Sequence, residues 1–139
     1  MKRVVIVEDN ELIVKFYRYV LEHDGYVVSA TESGDETVQL ARAADTVAII
    51  LDISLRATSL QGRPIDGLEL GRTLKADPST RQVPVIIATA HAMAGDRERF
   101  LRESGAEAFL RKPVTDPTEL TSLIRRLSER RASPPSNPR

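Results

Sequence analysis

Short runs of aliphatic and β-branched residues alternate with amphipathic segments along almost the whole chain, and this alternation limits the possible folds more than any other feature of the sequence. A short continuous apolar run is typical of a strand that helices cover on both faces, as in a parallel sheet. We therefore predict an α/β protein. The five predicted strands are Val4–Val7, Tyr26–Ala30, Val47–Leu51, Pro84–Ala88 and Ala108–Leu110.

Residues that favour helix termini flank the segments between these runs. Side chains that cap a helix N-terminus, and glycines that follow a last helical turn, occur at the expected boundaries. We therefore predict five helices and a doubly wound, five-stranded parallel sheet of the flavodoxin-like (βα)5 type. The pattern alone does not fix the strand order, and the order common at this size is 2-1-3-4-5. The predicted helix boundaries lie at Asn10, Gly25, Ser33, Asp66, Gly105 and Asp116.

The length and composition indicate one domain and exclude several classes of protein. The 139 residues are enough for one core, which we place in residues 1–131, followed by a disordered tail rich in proline and serine in residues 132–139. Lys and Arg together number 20, as do Asp and Glu, and this balance argues against a general binder of nucleic acid or membranes. Without cysteine or a long apolar run, the sequence indicates a cytoplasmic protein.

Charged and polar residues follow four of the predicted strands: Glu8 and Asp9 the first, Asp52 the third, Thr89 the fourth and Lys112 the fifth. In the expected strand order, the ends of the first and third strands flank the crevice where ligands bind. Three carboxylates gathered there repel one another unless a cation or proton intervenes. Mg²⁺ favours such oxygen ligands and accepts phosphate oxygens as well. With an ammonium and a hydroxyl nearby, the set has the parts that phosphoryl transfer requires.

The sequence blocks around these residues resemble the signature blocks of response-regulator receiver domains. The resemblance extends from about Lys2 to Leu127, and the segment Val83–Val114 is similar to single-domain cell-cycle receivers and to receiver modules of hybrid kinases. It implies a signalling switch rather than an enzyme with an external substrate. The blocks are Val-Val-Ile-Val-Glu8-Asp9-Asn, Ile-Leu-Asp52, Ile-Ile-Ala-Thr89-Ala and Phe109-Leu-Arg-Lys112-Pro113.

The resemblance implies that Asp52 accepts the phosphoryl group and that the cofactor is Mg²⁺. Asp9 would bind the metal, with Glu8 helping directly or through water. Ser54 would offer its backbone carbonyl to the metal, and its position would also influence how long the phosphoryl group lasts. Catalysis at Asp52 would thus be restricted to self-phosphorylation and autodephosphorylation.

The resemblance also implies roles for residues after the fourth and fifth strands. Lys112 would contact a phosphoryl oxygen, and Thr89 would hydrogen-bond the phosphoryl group once it arrives. Phe109 would be the switch aromatic that turns inward as Thr89 moves. Pro113 would follow a cis peptide bond, which X-Pro bonds tolerate. By the same resemblance, His91 would occupy a second position that influences the lifetime of the phosphoryl group.

By the same resemblance, the phosphoryl group would come from a sensor histidine kinase or a histidine phosphotransfer protein. The output would be a downstream protein that binds the surface formed by residues 90–127. We expect no direct contact with nucleic acid and none with a membrane.

The segment between Asp52 and Asp66 departs from the family pattern. It is several residues longer than usual, its proline is displaced to Pro64, and it contains Arg56 and Arg63. Long loops in compact domains are often functional. We therefore hypothesise that the loop from 53 to 65 covers the acidic pocket or shapes a partner surface. A tolerated insertion without function is the alternative.

Other functions remain as alternatives at this point. A pseudo-receiver would bind partners without phosphorylation, although the complete set of site residues argues against it. A phosphatase of the haloacid dehalogenase type needs an aspartate two residues after its nucleophile, and Ser54 stands there. A flavodoxin would have a phosphate-binding loop rich in Ser, Thr and Gly after the first strand, and this sequence has none there. A Rossmann dehydrogenase would have Gly-x-Gly-x-x-Gly, which this sequence also lacks.

Overall fold

Strands and helices alternate along the chain in the computed structural model, which describes residues 1–54, 58–90 and 92–132. The strands are β1 (Arg3–Val7), β2 (Val27–Thr31), β3 (Thr46–Asp52), β4 (Ser59–Leu60), β5 (Arg63–Pro64), β6 (Val85–Thr89) and β7 (Ala108–Arg111). The helices are α1 (Glu11–His23), α2 (Gly34–Arg42), α3 (Gly67–Ala76), α4 (Asp96–Ser104) and α5 (Pro117–Ala132). Arg56, His91 and residues 133–139 of the predicted tail lie outside the described residues.

Five parallel strands form one sheet in the order β2-β1-β3-β6-β7. Because β4 and β5 belong to a separate hairpin, β6 and β7 are the predicted fourth and fifth strands. The predicted α/β class and the order 2-1-3-4-5 are therefore confirmed. Val7 pairs with both Thr31 and Leu51, and Asp52 pairs with Ala88. Because β6 and β7 also pair in parallel, the carboxyl ends of β1, β3, β6 and β7 lie at one edge of the sheet.

Helices cover both faces of the sheet, and the side chains of β1 alternate between them. Val4 and Ile6 pack into a cluster with apolar residues of α1 and α5. Val5 and Val7 pack into a second cluster with residues of α2, α3 and α4. Because successive side chains of a strand point to opposite faces, a strand covered on both sides must be apolar throughout. None of the described helices is long and apolar enough to span a membrane.

The helices α1, α2, α3 and α5 begin where the sequence predicts, and α1, α2 and α4 end close to the predicted residues. Asn10 Oδ1 accepts hydrogen bonds from the backbone N–H groups of Leu12 and Ile13, at 3.0 and 3.2 Å. The side chains of Ser33 and Asp66 cap α2 and α3 in the same way. Such caps use backbone donors that have no partner within the helix. The positions of the helices relative to the strand ends are thus encoded locally.

The described part of the segment from 53 to 65 contains two short strands where the sequence predicted only a loop, which corrects the prediction. Ser59–Leu60 and Arg63–Pro64 pair as a short antiparallel hairpin, here called the β4–β5 hairpin. Gln61 and Gly62 form its turn with φ values of 52° and 80°, and such positive values are typical of tight hairpin turns. Two-residue strands are too short to show a periodic pattern, and Pro64 disfavours a strand except at an edge.

The β4–β5 hairpin packs against α2. A Cβ atom at Gly34 would lie 2.6 Å from the backbone oxygen of Ser59, so only glycine allows this close approach. The N–H of Gln61 donates to both carboxylate oxygens of Asp35, at 3.1 and 3.2 Å. The described part of the long segment is therefore fixed to the first turn of α2.

Candidate functional site

Three carboxylates meet at the carboxyl edge of the sheet. Glu8 and Asp9 follow β1, and Asp52 ends β3, which is the neighbour of β1. One carboxylate oxygen from each residue lies within 4.8 Å of the other two. Glu8 and Asp52 are 4% and 3% exposed, whereas Asp9 is exposed to solvent. The structure therefore brings together the three acidic residues that the sequence predicts to be neighbours.

Lys112 supplies a positive charge between two of these carboxylates. Its Nζ lies 2.8 Å from Glu8 Oε1 and 3.4 Å from Asp52 Oδ1. Its backbone N–H donates to the backbone carbonyl oxygen of Thr89 at 2.9 Å, and this bond holds the end of β7 beside β6. The peptide bond between Lys112 and Pro113 is cis. The Lys112 side chain is only 8% exposed, so its attraction to the carboxylates is poorly screened by water.

Two backbone N–H groups complete the hydrogen bonding of the buried carboxylates. Asn10 donates to Glu8 Oε2 at 3.2 Å, and Ser54 donates to Asp52 Oδ1 at 3.0 Å. Asn10 thus caps α1 with its side chain and contacts Glu8 with its backbone. These contacts orient both carboxylates before any ligand arrives.

The electrostatics of the site leave negative charge in excess. Burial raises the pKa of the Glu8 carboxyl, and the charge of Asp52 raises it further. The hydrogen bonds from Lys112 and from the backbone N–H of Asn10 lower this pKa, but the net effect is a raised pKa. When all three carboxylates are ionised, one ammonium cannot neutralise them. Oxygen donors at this spacing, two of them buried, fit a hard divalent cation such as Mg²⁺.

A surface cavity of about 440 Å³ adjoins the acidic cluster. Besides Glu8 and Asp9, its lining residues come from α1, β2 and the loop after β2 (Glu11, Val14, Lys15, Ala30, Thr31 and Glu32). Among the described residues, the β4–β5 hairpin contributes none of this lining. The structure thus places the described hairpin on α2, and it leaves open the hypothesis that the hairpin shapes a partner surface.

Thr89 and Phe109 lie on the neighbouring strands β6 and β7. Thr89 is 1% exposed and follows Ala88, the residue that pairs with Asp52. Phe109 is half-buried, and its ring stacks on Phe100 of α4 with centroids 6.5 Å apart and an interplanar angle of 23°. A change at the end of β6 would therefore act close to the contact between β7 and α4.

Tyr17 is a site neighbour that the sequence analysis did not single out. Its side chain is 1% exposed, and its hydroxyl has no hydrogen-bond partner among the described residues. A buried hydroxyl without a partner costs roughly 1–3 kcal/mol. Burial raises the pKa of this hydroxyl, and the charges of Glu8 and Asp52 raise it further. The only signal in the sequence is a tyrosine four residues after Ile13, on the predicted apolar face of the first helix.

Comparisons with known proteins agree on one family. The sequence pattern of the response regulator receiver domain matches residues 4–125. The chain is 44% identical over 122 residues to the polar-differentiation response regulator DivK of Brucella ovis, and this match covers 88% of the chain and 93% of DivK. DivK of Brucella anthropi is 43% identical over the same length.

Two solved structures are similar to the fold described above. One is the receiver domain of the sensor histidine kinase PA1611 from Pseudomonas aeruginosa, with a TM-score of 0.76, 30% identity, and coverage of 92% of this chain and 98% of that one. That structure has a magnesium ion coordinated in its active site cleft. The other is the receiver domain of a histidine kinase from Syntrophus aciditrophicus, with a TM-score of 0.79, 27% identity, and coverage of 100% and 98%.

Proposed function

Because the chain belongs to the response regulator receiver domain family, we propose that it is a phosphorylation-dependent switch with Asp52 as its phosphoacceptor. One observation supports this assignment above the others. The Asp52 carboxylate is buried, and it lies within 4.8 Å of Glu8 and Asp9 oxygens and 3.4 Å from the Lys112 ammonium. Both oxygens of Glu8 accept hydrogen bonds, and Asp9 is exposed, whereas Lys112 and the Ser54 N–H both contact Oδ1 of the buried Asp52. This difference favours Asp52 as the nucleophile.

In the proposed reaction, an oxygen of Asp52 attacks the phosphorus of a phosphohistidine or a small acyl phosphate. A P–O bond to Asp52 forms while the bond to the leaving imidazole nitrogen or carboxylate oxygen breaks, and the leaving group keeps the electron pair. The Lys112 ammonium lies near enough to contact the charge on the transferred oxygens. Catalysis would come from position and electrostatic stabilisation, as in other phosphoryl transfers.

Asp9, Asp52 and the backbone carbonyl of Ser54 would hold Mg²⁺, with Glu8 contributing directly or through water. The metal would neutralise charge on the phosphoryl oxygens. The oxygen donors of the acidic cluster fit this ion, and the receiver domain from Pseudomonas aeruginosa contains it in its active site cleft.

The proposed switch couples the new charge to the edge of the sheet. Thr89 would donate its hydroxyl hydrogen to the phosphoryl group, and Phe109 would turn inward as Thr89 moves. Movement of Phe109 would alter its contact with Phe100 and so the surface formed by residues 90–127. Such a local charge change biases an element that has two arrangements.

We propose that a sensor histidine kinase or a histidine phosphotransfer protein supplies the phosphoryl group, and that a downstream protein binds the 90–127 surface in the cytoplasm. The similarity to DivK, a polar-differentiation response regulator, supports a role of this chain in signalling.

The test is incubation with Mg²⁺ and acetyl phosphate, followed by intact mass measurement beside Asp52→Asn. We expect one phosphoryl adduct on the wild type, none on the variant and none in EDTA. An adduct that persists in Asp52→Asn would reassign the acceptor. If no adduct forms and beryllofluoride has no effect, the alternative of a phosphorylation-independent pseudo-receiver that acts as a binding module replaces the proposal.

A further inference from the structure

Tyr17 is a buried polar residue beside the acidic site that the proposed reaction does not use. Its side chain belongs to the apolar cluster between the sheet and the helices α1 and α5. It also lines a small cavity of about 230 Å³ together with Lys112 and Pro113. Its hydroxyl is shielded from solvent without a hydrogen-bond partner among the described residues. A phenylalanine would fill the same volume without this unfavourable group.

The hydrogen bonding of Glu8 suggests a role for the buried Tyr17 hydroxyl as a hydrogen-bond donor. In the structure, Glu8 Oε1 accepts from Lys112 and Oε2 accepts from the backbone of Asn10, so both oxygens have partners. Lys112 is also the group that would contact a phosphoryl oxygen on Asp52. A phosphoryl group would therefore draw the ammonium away from Glu8 Oε1, and a buried carboxylate would lose its only cationic side-chain contact among the described residues.

We propose that Tyr17 is a positioning residue, whose hydroxyl donates a hydrogen bond to Glu8 in the phosphorylated state after Lys112 has turned to the phosphoryl group. The inference rests on the proposed function, since it needs a phosphoryl group on Asp52. The geometry fits this role, because Tyr17 and Lys112 line the same cavity and the Lys112 ammonium lies 2.8 Å from Glu8 Oε1. Glu8 then keeps its ionised form and its orientation toward the metal while Lys112 is engaged elsewhere.

The position of the hydroxyl makes the two states respond differently to its removal. In the resting state the Tyr17 hydroxyl has no hydrogen-bond partner to lose among the described residues, so Tyr17→Phe leaves thermal stability unchanged or raises it. In the phosphorylated state the variant lacks a hydrogen bond to a charged group. A tyrosine that served only to fill the core would affect both states equally.

The experiment compares Tyr17→Phe with the wild type in the full chain, and uses beryllofluoride as a stable phosphoryl analogue with Mg²⁺. Tyr26→Phe is the matched control, because Tyr26 is also buried but precedes β2 at the opposite edge of the sheet. Three quantities are measured for each protein: the melting temperature without ligands, the affinity for Mg²⁺ alone, and the affinity for beryllofluoride at saturating Mg²⁺.

We expect Tyr17→Phe to bind beryllofluoride about tenfold more weakly, the effect of losing one hydrogen bond to a charged group. Its melting temperature and Mg²⁺ affinity should match or exceed those of the wild type, and Tyr26→Phe should behave as the wild type throughout. Beryllofluoride binding by Tyr17→Phe within twofold of the wild type overturns the inference and leaves the proposed function standing. Equal weakening of Mg²⁺ and beryllofluoride binding also overturns it, because general loosening of the core would then explain the loss. A wild type that does not bind beryllofluoride overturns both proposals.

Discussion

The Lys112 ammonium lies closer to Glu8, at 2.8 Å, than to Asp52, at 3.4 Å. The residue that would act on a phosphoryl group at Asp52 is thus held mainly by the neighbouring carboxylate. All three side chains are less than a tenth exposed, so each depends on the others to compensate for its lost hydration. The arrangement stabilises the resting site and also prepares the lysine for a second partner.

Replacing Lys112 by Met should destabilise the metal-free protein and abolish phosphorylation. Removing one partner of a buried ion pair leaves uncompensated charge, at a cost of about 3–5 kcal/mol. Mg²⁺ should restore part of this stability, because a divalent cation can neutralise the same carboxylates. Urea unfolding in EDTA and in Mg²⁺, with the exposed Lys2→Met as control, measures both effects. Equal free energies of unfolding for Lys112→Met and wild type in EDTA would show that the ion pair contributes nothing.

The raised pKa of Glu8 predicts that the contribution of this residue to the stability of the metal-free protein falls as the pH rises. Burial and the charge of Asp52 place the folded-state pKa of Glu8 above its ordinary value of 4.5. The native state therefore binds the proton more tightly than the unfolded state does. The stabilisation is fully present below pH 4.5 and is lost as the pH rises through the folded-state pKa.

Unfolding in EDTA over this pH window, for the wild type and Glu8→Gln, tests the dependence. The glutamine keeps the size of the side chain and has no proton to release, so its stability should fall less with rising pH. The prediction fails if the two proteins show parallel pH profiles.

The contact between Gly34 and the β4–β5 hairpin predicts a local effect of Gly34→Ala. The new Cβ would lie 2.6 Å from the Ser59 oxygen, so the hairpin must move or the fold must absorb the strain. Such overpacking costs roughly 1–3 kcal/mol. Hydrogen exchange should show reduced protection of the Gln61 N–H, which donates to Asp35.

The same variant tests whether the hairpin acts on the acidic site. We expect phosphorylation by acetyl phosphate to remain near the wild-type rate, because the described hairpin residues pack on α2. Deletion of residues 57–63 should likewise spare phosphorylation and reduce only partner binding. A large fall in the phosphorylation rate for both variants would instead support a role of this segment over the acidic pocket.

Thr89→Val should separate phosphorylation from the response of the output surface. Valine has nearly the shape of threonine, which matters at a residue 1% exposed, but it cannot donate a hydrogen bond. We expect the adduct on Asp52 to form, while the NMR signals of the Phe109 and Phe100 rings keep their resting positions. In the wild type, beryllofluoride should shift both. A full shift of the ring signals in Thr89→Val would exclude Thr89 as the residue that transmits the change from Asp52 to Phe109.

The sequence by itself determined the fold and the edge of the sheet at which the site lies. Apolar runs such as Val4–Val7 specify strands covered on both faces, and caps such as Asn10 specify where helices begin, because both signals depend on residues near one another in the chain. Once the strands are parallel, Glu8, Asp9 and Asp52 must end at the same edge. These features are local or follow from the strand order alone.

Tertiary structure decided the contacts that neighbouring residues in the chain cannot specify. Lys112 and Glu8 are 104 positions apart in the chain. Their ion pair forms because β1 and β7 end on either side of Asp52, which Lys112 also contacts. The β4–β5 hairpin is stabilised by its contacts with Gly34 and Asp35 of α2. Its own strands are too short to show a periodic sequence pattern. Tyr17 has the spacing of an ordinary core residue, and only the packing of α1 against the sheet places its hydroxyl near the acidic residues. Sequence patterns report which face of an element is apolar, whereas the partners across that face are set by the packing of the whole chain.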